Sequence, residues 1–301
     1  MSEFEEKLRK IVNEGELWVN EPMSAHTTFR IGGPADFLVT PGTAGQLKEI
    51  LALCREENQP FFILGNGSNL LVGDRGYSGT MICLSRLSAV ETEETCIRAQ
   101  AGALLSKIAR EACERSLAGF EFAAGIPGSL GGAVVMNAGA YGGELKDVLV
   151  NVTVMDREGN ILKKTPEELC MGYRTSSVLS EEYVVLEAEI NLEKGDRRLI
   201  RARMDDLAAR RREKQPLEYP SAGSTFKRPE GYFAGKLIDD AGLRGFRVGG
   251  AQVAEKHCGF VINREQATAA DVMELCRRVS GAVKEQFGVE LEMEVKTIGN
   301  F

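Results

Sequence analysis

The chain has 301 residues, room for two or three cores, and its 43% hydrophobic and 27% charged residues exclude a disordered chain. A formal net charge of −7 excludes the basic excess of a nucleic-acid binder, so a phosphate-bearing ligand must be held by local features. No stretch approaches the roughly 20 apolar residues of a membrane-spanning helix, and no membrane insertion is expected.

Residues 1–13 mix Glu, Lys and Arg with Phe4, Leu8, Ile11 and Val12, which predicts an amphipathic helix and not a secretory signal. Residues 36–39 form a short apolar run. Thr43 then opens a helix as N-cap, with Gln46 completing a capping box. The apolar run 61–64 stops abruptly at Gly65. A second α/β stretch begins with strands at 80–84 and 96–100, followed by a helix over 104–116 with Leu104, Ile108 and Ala112 on one face. Segments 148–155 and 160–164 flank Asp156-Arg157-Glu158-Gly159, a hairpin signal. Thr165-Pro166-Glu167-Glu168 predicts the start of a short helix. Residues 183–192 alternate as a strand until Glu193-Lys194-Gly195-Asp196 breaks it, and that break is the expected domain boundary. Beyond it lie a long helix over 197–214 and a proline- and glycine-punctuated loop to 231. A short helix at 233–241, strands at 251–253 and 260–263, a helix over 268–287 and a strand over 291–298 follow. The class is α+β, built as two units.

The seven cysteines are scattered, never spaced CxxC, and accompanied only by His26 and His257. No metal site is expected, and buried, reduced thiols in a cytoplasmic protein are.

Two glycine-rich stretches stand out. In Leu64-Gly65-Asn66-Gly67-Ser68-Asn69-Leu70, a strand runs into a loop whose successive N–H groups can form a nest for phosphate oxygens. A plain hairpin turn would use the same residues. The loop is not a Rossmann fingerprint, because Leu70 stands at the third glycine position. The second stretch, Ala124-Gly125-Ile126-Pro127-Gly128-Ser129-Leu130-Gly131-Gly132, precedes Asn137-Ala138-Gly139-Ala140-Tyr141. Ser129 can cap a helix there, and a helix N-terminus favours an anion. The glycines could equally serve a crowded packing joint. Two such loops together favour a dinucleotide diphosphate.

With Thr28-Phe29-Arg30-Ile31-Gly32-Gly33 ahead of them, these loops resemble the FAD-binding domain of the enolpyruvoylglucosamine reductases in order and spacing. The resemblance continues through Gly172-Tyr173-Arg174-Thr175-Ser176, Lys214-Gln215-Pro216, Ala222-Gly223-Ser224-Thr225-Phe226-Lys227 and Leu291-Glu292-Met293-Glu294-Val295-Lys296. It implies a two-lobed FAD-binding domain of the vanillyl-alcohol-oxidase type plus a C-terminal α+β substrate domain. The boundaries expected are a lead-in at 1–28, the FAD domain at 29–195 (lobes 29–80 and 81–195) and the substrate domain at 196–301.

The resemblance implies NADPH-dependent reduction of UDP-N-acetylenolpyruvoylglucosamine to UDP-N-acetylmuramate through non-covalent FAD, in peptidoglycan precursor synthesis, by a monomer. It makes Arg174 the cation near the enolpyruvyl carboxylate, Ser224 the proton donor and Glu294 the acid working with the arginine. FAD contacts fall to Arg30, Gly65, Asn66, Gly67, Ser68, Asn69, Leu70, Ala124, Gly125, Pro127, Gly128, Ser129, Gly131, Gly132, Asn137 and Gly139. Tyr141, Tyr173, Lys214, Arg228 and His257 are the implied substrate contacts. Arg228 stands where some members carry asparagine. The interval from Arg174 to Ser224 is too short for the tyrosine-bearing loop of one subgroup, so the chain resembles the shorter subgroup.

From the residues alone, each role has a plain alternative. Arg174 can be a surface arginine, Ser224 a turn cap, Arg210-Arg211-Arg212 a solvated helix end, and Glu290, Glu292 and Glu294 one solvated strand face. A buried Glu294 would have a raised pKa. Two other functions fit the flavin class or the fold: an alcohol or hydroxy-acid oxidase, whose flavin is commonly tethered through His or Cys, and a non-catalytic nucleotide-sugar module. Neither glycine loop contains His or Cys.

Overall fold

A computed structural model describes residues 2–301. They form two compact units. The first comprises the chain up to Trp18, Phe37–Asn66 and Gly79–Arg211; the second comprises Val19–Asp36, Gly67–Ser78 and Arg212–Phe301.

The first unit opens with α1 (Glu3–Ile11), where Ser2 caps the N-terminus and acids in the first turn and bases in the last oppose the helix dipole. Thr43 caps α2 (Ala44–Glu56), which buries Leu47, Ile50, Leu51 and Cys54. Strand Phe61–Leu64 pairs in parallel with Tyr77–Cys83, Phe61 opposite Thr80 and Leu64 opposite Cys83. Next come α3 (Leu105–Glu114) and the short α4 (Leu130–Met136). Five antiparallel strands lie in the order Ile161–Lys164, Leu149–Met155, Val184–Asn191, Cys96–Gln100, Val90–Glu93. Their alternate residues Val152, Val154, Ala188 and Ile190 are buried, with Ile97 and Ala99, in the core that also takes Ile108 and Val134. Helix α5 (Arg197–Lys214) closes the unit, burying only Ile200 and Leu207.

The second unit holds α6 (Ala234–Asp240), α7 (Ala269–Phe287) and three short antiparallel strands, Arg247–Val248, Ala251–Val253 and Val261–Asn263. Thr268 and Asp271 make a full capping box on α7, and Gly288 ends it in the left-handed region. The chain's last strand, Lys296–Ile298, pairs in parallel with Leu70–Val72. The core gathers Phe29, Ile31 and Leu71 with Phe226, Leu237, Ile238, Val272, Leu275 and Val279. No helix among the described residues is long and apolar enough to cross a membrane.

Several expectations need correction. Thr43 does accept from Gln46 N, but the Gln46 side chain bonds Gly42 N and the Ile11 carbonyl and so leaves the capping box half made. Residues 165–168 exchange two capping bonds, yet only one turn forms, because Cys170 enters the left-handed region at φ 47°. The terminal strand is three residues long instead of eight. The strand ends at Asn191 as expected, and Glu193–Lys194 then pairs separately with Leu117–Ala118 inside the first unit. The compact units accordingly differ from the sequence domains: α5 up to Arg211 belongs to the first. The Leu70–Val72 pairing and the burial of Phe29 and Ile31 draw 19–36 and 67–78 into the second. Cys170 is exposed and Cys96 half-buried, so two of the thiols are not core residues.

Candidate active site

In the first unit the two glycine-rich loops are joined directly. Asn66 Nδ2 donates to the Pro127 carbonyl at 2.7 Å. Beside this contact Ser129 is only 3% exposed, and its hydroxyl has no hydrogen-bond partner among the described residues. A Cβ added at Gly65 would stand 2.4 Å from that oxygen, and one at Gly132 would stand 3.6 Å from it. The two loops therefore meet in close backbone packing around one buried, unbonded hydroxyl. An unbonded buried hydroxyl costs about 1–3 kcal/mol, which a polar ligand group placed there offsets.

Ser129 does not act as the helix cap its position suggests. It is the N-cap residue of α4, but its side chain makes no capping bond. The N–H groups of Leu130 and Gly131 already donate to the carbonyls of Ala103 and Ala101, each at 2.8 Å. What α4 presents is therefore the Ser129 hydroxyl, not a row of free amides. Two close-packed glycine loops with an unbonded hydroxyl between them fit FAD, whose diphosphate and ribityl chain need close backbone approach and a hydroxyl-type donor.

The far end of α4, about 10 Å away at helical rise, fastens the turn that carries Arg174. Asn137, buried and left-handed at φ 40°, donates from Nδ2 to Glu144 Oε2 at 2.9 Å and to the Gly172 carbonyl at 3.0 Å. Its Oδ1 accepts from Lys146 N at 3.0 Å. These bonds commit the Asn137 side chain to a brace inside the protein. Ser176 adds a bond to the Val135 carbonyl at 2.9 Å. Between these anchors, Gly172 and Thr175 exchange N–H···O bonds, and Arg174 occupies the left-handed region at φ 54°. That conformation costs a non-glycine residue about 1–2 kcal/mol. The Arg174 guanidinium donates to the Gly139 carbonyl at 3.2 Å and lies 5.3 Å from the centre of the Tyr173 ring. Its charge also helps hold Glu144 below the ordinary carboxylate range, after the larger effects of Lys146 and Asn137.

In the second unit Thr225 organises the other two expected catalytic residues. It is buried; its N–H donates to the Gly259 carbonyl at 2.9 Å, and its hydroxyl accepts from Val261 N at 2.9 Å. Its carbonyl accepts from Glu294 N at 2.8 Å. Ser224, exposed and preceded by left-handed Gly223 at φ 77°, is thus presented from an anchored loop next to the Glu294 segment. Glu294 is half-buried, and Asn69 Nδ2 donates to its carbonyl at 3.1 Å. The three alternating acids differ in surroundings: exposed Glu290 pairs with Lys284 and exposed Glu292 with Lys227, whereas the backbone of half-buried Glu294 is bonded at both its N–H and its carbonyl. Gly67 is glycine for a structural reason, since a Cβ there would lie 2.1 Å from the His26 carbonyl.

His257 is half-buried beneath Phe260, ring centres 5.1 Å apart, and its Nδ1 accepts from Gly259 N at 3.1 Å. Burial lowers its pKa below the ordinary histidine value, and the charges of Arg244 and Lys214 push the same way. Arg228 lies over the Phe233 ring, 3.9 Å from its centre. Arg30, left-handed at φ 55°, lines an open cleft of about 540 Å³ with Tyr219, Asn263 and Arg264. Among the described residues no three His, Cys, Asp or Glu side chains gather as a metal site.

One residue of the expected solvated helix end Arg210-Arg211-Arg212 is not solvated. Arg211 of α5 is half-buried against the second glycine loop: its Cδ and Nη1 lie 3.3 Å from the place a Cβ would occupy on Gly125. The available signal was spacing, because Ile200, Met204, Leu207 and Arg211 fall on one helix face.

Residues 35–165 match the FAD binding domain family, and residues 215–298 match the family described as UDP-N-acetylenolpyruvoylglucosamine reductase, C-terminal domain. The chain is 56% identical to the UDP-N-acetylenolpyruvoylglucosamine reductase of Clostridium perfringens (strain SM101 / Type A) over 99% of its own length and 98% of the relative's. For the same-named protein of Caldanaerobacter subterraneus subsp. tengcongensis the figures are 54%, 98% and 97%. The crystal structure of the Thermus caldophilus UDP-N-acetylenolpyruvylglucosamine reductase superposes with a TM-score of 0.80 at 37% identity, covering 94% of this chain and 98% of that one. A Phl p 4 variant, a glucose oxidase, shares the fold over 65% of this chain and 45% of its own, with a TM-score of 0.51 at 12% identity.

Proposed function

Since the chain belongs to the UDP-N-acetylenolpyruvoylglucosamine reductase family, we propose that it reduces the enolpyruvyl group of UDP-N-acetylenolpyruvoylglucosamine to give UDP-N-acetylmuramate for peptidoglycan. The cofactor is FAD and the hydride donor NADPH. The observation that carries this reading is the contact of Gly65 with the buried, unpartnered Ser129 hydroxyl in the first unit, which we take as the floor of a cofactor recess.

When bound, FAD supplies hydride exchange with NADPH and with the enolpyruvyl double bond. The protein's residues hold charge and move one proton. Gly65, Asn66, Ser129 and Gly132 hold the cofactor without a covalent link, with the neighbouring residues 67–70, 124–131 and 139 shaping the loops. Arg174, strained into a fixed turn, stabilises the negative charge that develops on the substrate carboxylate. Ser224 Oγ delivers the proton to the carbon next to the reduced one, and Glu294 supports that transfer from the adjoining segment. Tyr141, Tyr173, Lys214, Arg228 and His257 contact the UDP-sugar, His257 as a neutral ring. The first unit, which runs to Arg211, carries the second glycine loop and Arg174, and the second unit carries Ser224 and Glu294. The protein works as a cytoplasmic monomer.

The test is spectroscopic. The purified protein should be yellow and release its FAD into the supernatant on acid precipitation. Anaerobic NADPH should bleach the flavin band, and UDP-N-acetylenolpyruvoylglucosamine should restore it. Oxygen consumption with an alcohol in place of NADPH would instead identify an oxidase.

A further inference from the structure

Helix α5 (Arg197–Lys214) buries Ile200 and Leu207, and Met204 on the same helix face packs against the core of the first unit. The next position on that face is Arg211. Arg210 is paired with Asp206 at 3.0 Å, as a helix-surface arginine should be. Arg211 has no hydrogen bond or carboxylate partner among the described residues; Tyr141 is the one group whose interaction favours its charge. Burial lowers its pKa, although a guanidinium remains charged at any physiological pH. A half-buried, unpaired cation on an apolar face is destabilising unless an anion joins it.

Its place indicates which anion. The end of the side chain lies against Gly125, and an alanine there would put its Cβ 3.3 Å from Arg211 Cδ and Nη1. Gly125 is not in the left-handed region, so its missing side chain serves space and not backbone freedom. The same loop continues to Ser129, whose buried hydroxyl also lacks a partner. Two unsatisfied polar groups of opposite capacity, a cation and a hydroxyl, are therefore presented by one loop and the helix packed on it.

We propose that Arg211 is the fixed cation of the FAD site, and that residue 125 is glycine to admit its guanidinium beside the cofactor. The inference rests on the FAD reading above. Its counter-charge is an anionic part of the cofactor, either the permanent diphosphate or the ring once reduced.

Arg211→Met keeps an unbranched side chain of similar length and matches Met204 on the same face; Arg211→Lys keeps the charge. FAD affinity is measured by flavin fluorescence on stripped protein, together with riboflavin affinity, the flavin midpoint potential and the affinity for sulfite. A lost charged hydrogen bond corresponds to about 10–100-fold, so Arg211→Met should weaken FAD by that factor, with partial recovery in Arg211→Lys. If the partner is the diphosphate, riboflavin affinity and potential stay unchanged. If it is the ring, the potential becomes more negative and sulfite binds more weakly. Stripped Arg211→Met should also withstand urea at least as well as the stripped parent, because an unpaired charge is gone. Parental FAD affinity, potential and sulfite binding in Arg211→Met would overturn the assignment. A parent protein that cannot bind FAD at all would overturn the FAD reading itself.

Discussion

Gly65 and Ser129 offer the sharpest test of the cofactor recess, through substitution of each alone and of both. In Gly65→Ala the new methyl would stand 2.4 Å from Ser129 Oγ, well inside contact distance, while the Ser129 Cβ lies at 3.7 Å. Gly65 is not left-handed, so alanine adds no backbone strain and the clash is the whole cost. Overpacking of this kind costs about 1–3 kcal/mol, and FAD affinity should fall as the methyl enters the recess. Ser129→Ala removes the clashing oxygen. In the stripped protein it also removes an unbonded buried hydroxyl, so stability should hold or rise. With FAD present it deletes one hydrogen bond, a loss of about 0.5–1.5 kcal/mol or roughly 2–13-fold in affinity.

The double variant leaves the methyl facing Ser129's Cβ at an ordinary distance, so most of the Gly65→Ala destabilisation of the stripped protein should disappear. Urea unfolding of the four stripped proteins gives that coupling, expected at about 1–3 kcal/mol; fluorescence titration gives the FAD column of the same cycle. Strict additivity in both columns would show that the two residues do not meet and would overturn the proposed cofactor recess.

Three further outcomes follow from the site. Arg174→Ala should keep its FAD and its reduction by NADPH but slow substrate reduction by about 10²–10³; near-normal turnover in the steady state would remove Arg174 from the chemistry. Ser224→Ala should spare flavin bleaching by NADPH and slow reoxidation by the UDP-sugar by about 10²–10⁴, read by anaerobic stopped flow. Equal slowing of both halves would point to displaced flavin instead. Burial keeps the His257 pKa below its unfolded value of about 6.5, so the unfolded chain binds the extra proton first. The contribution of neutral His257 to stability is intact above that value and is lost as pH falls toward the folded pKa. His257→Gln should flatten that part of the urea-stability profile, and an unchanged slope would contradict the assignment.

Local signals gave most of the elements because the chemistry that starts and stops them is local. Thr43, Thr268 and Gly288 act at caps, and the Asp156–Gly159 turn sets the register that places Met155 opposite Ile161. What the sequence could not show was which partner a residue takes across the chain. Residues 165–168 carry a complete set of helix-start signals, but nothing local announces that Cys170 will turn left-handed one step later. Residues 291–295 alternate like a strand, yet they meet residues 225–227 through separate bonds instead of a continuous ladder. The compact units were illegible for the same reason, since Leu70–Val72 finds its partner more than 200 residues away.

The glycine loops show how far composition can go. Their richness in glycine correctly signals close approach, but the thing approached differs at each position. Gly67 makes room for the His26 carbonyl, Gly139 for the Gly143 carbonyl, Gly125 for Arg211 and Gly65 for the Ser129 hydroxyl. Two of these are backbone packing and would be required in a protein with no ligand at all. The other two admit side-chain polar groups that the protein itself leaves unsatisfied, and that combination distinguishes a cofactor recess from a crowded joint. A single sequence cannot make the distinction, because it depends on where Ser129 and Arg211 point after α4 and α5 have packed. Asn137 carries the same lesson in reverse. The resemblance places it among the cofactor contacts without saying what its amide does, and the amide bonds Glu144, Lys146 and Gly172 and so fixes the turn that holds Arg174 left-handed.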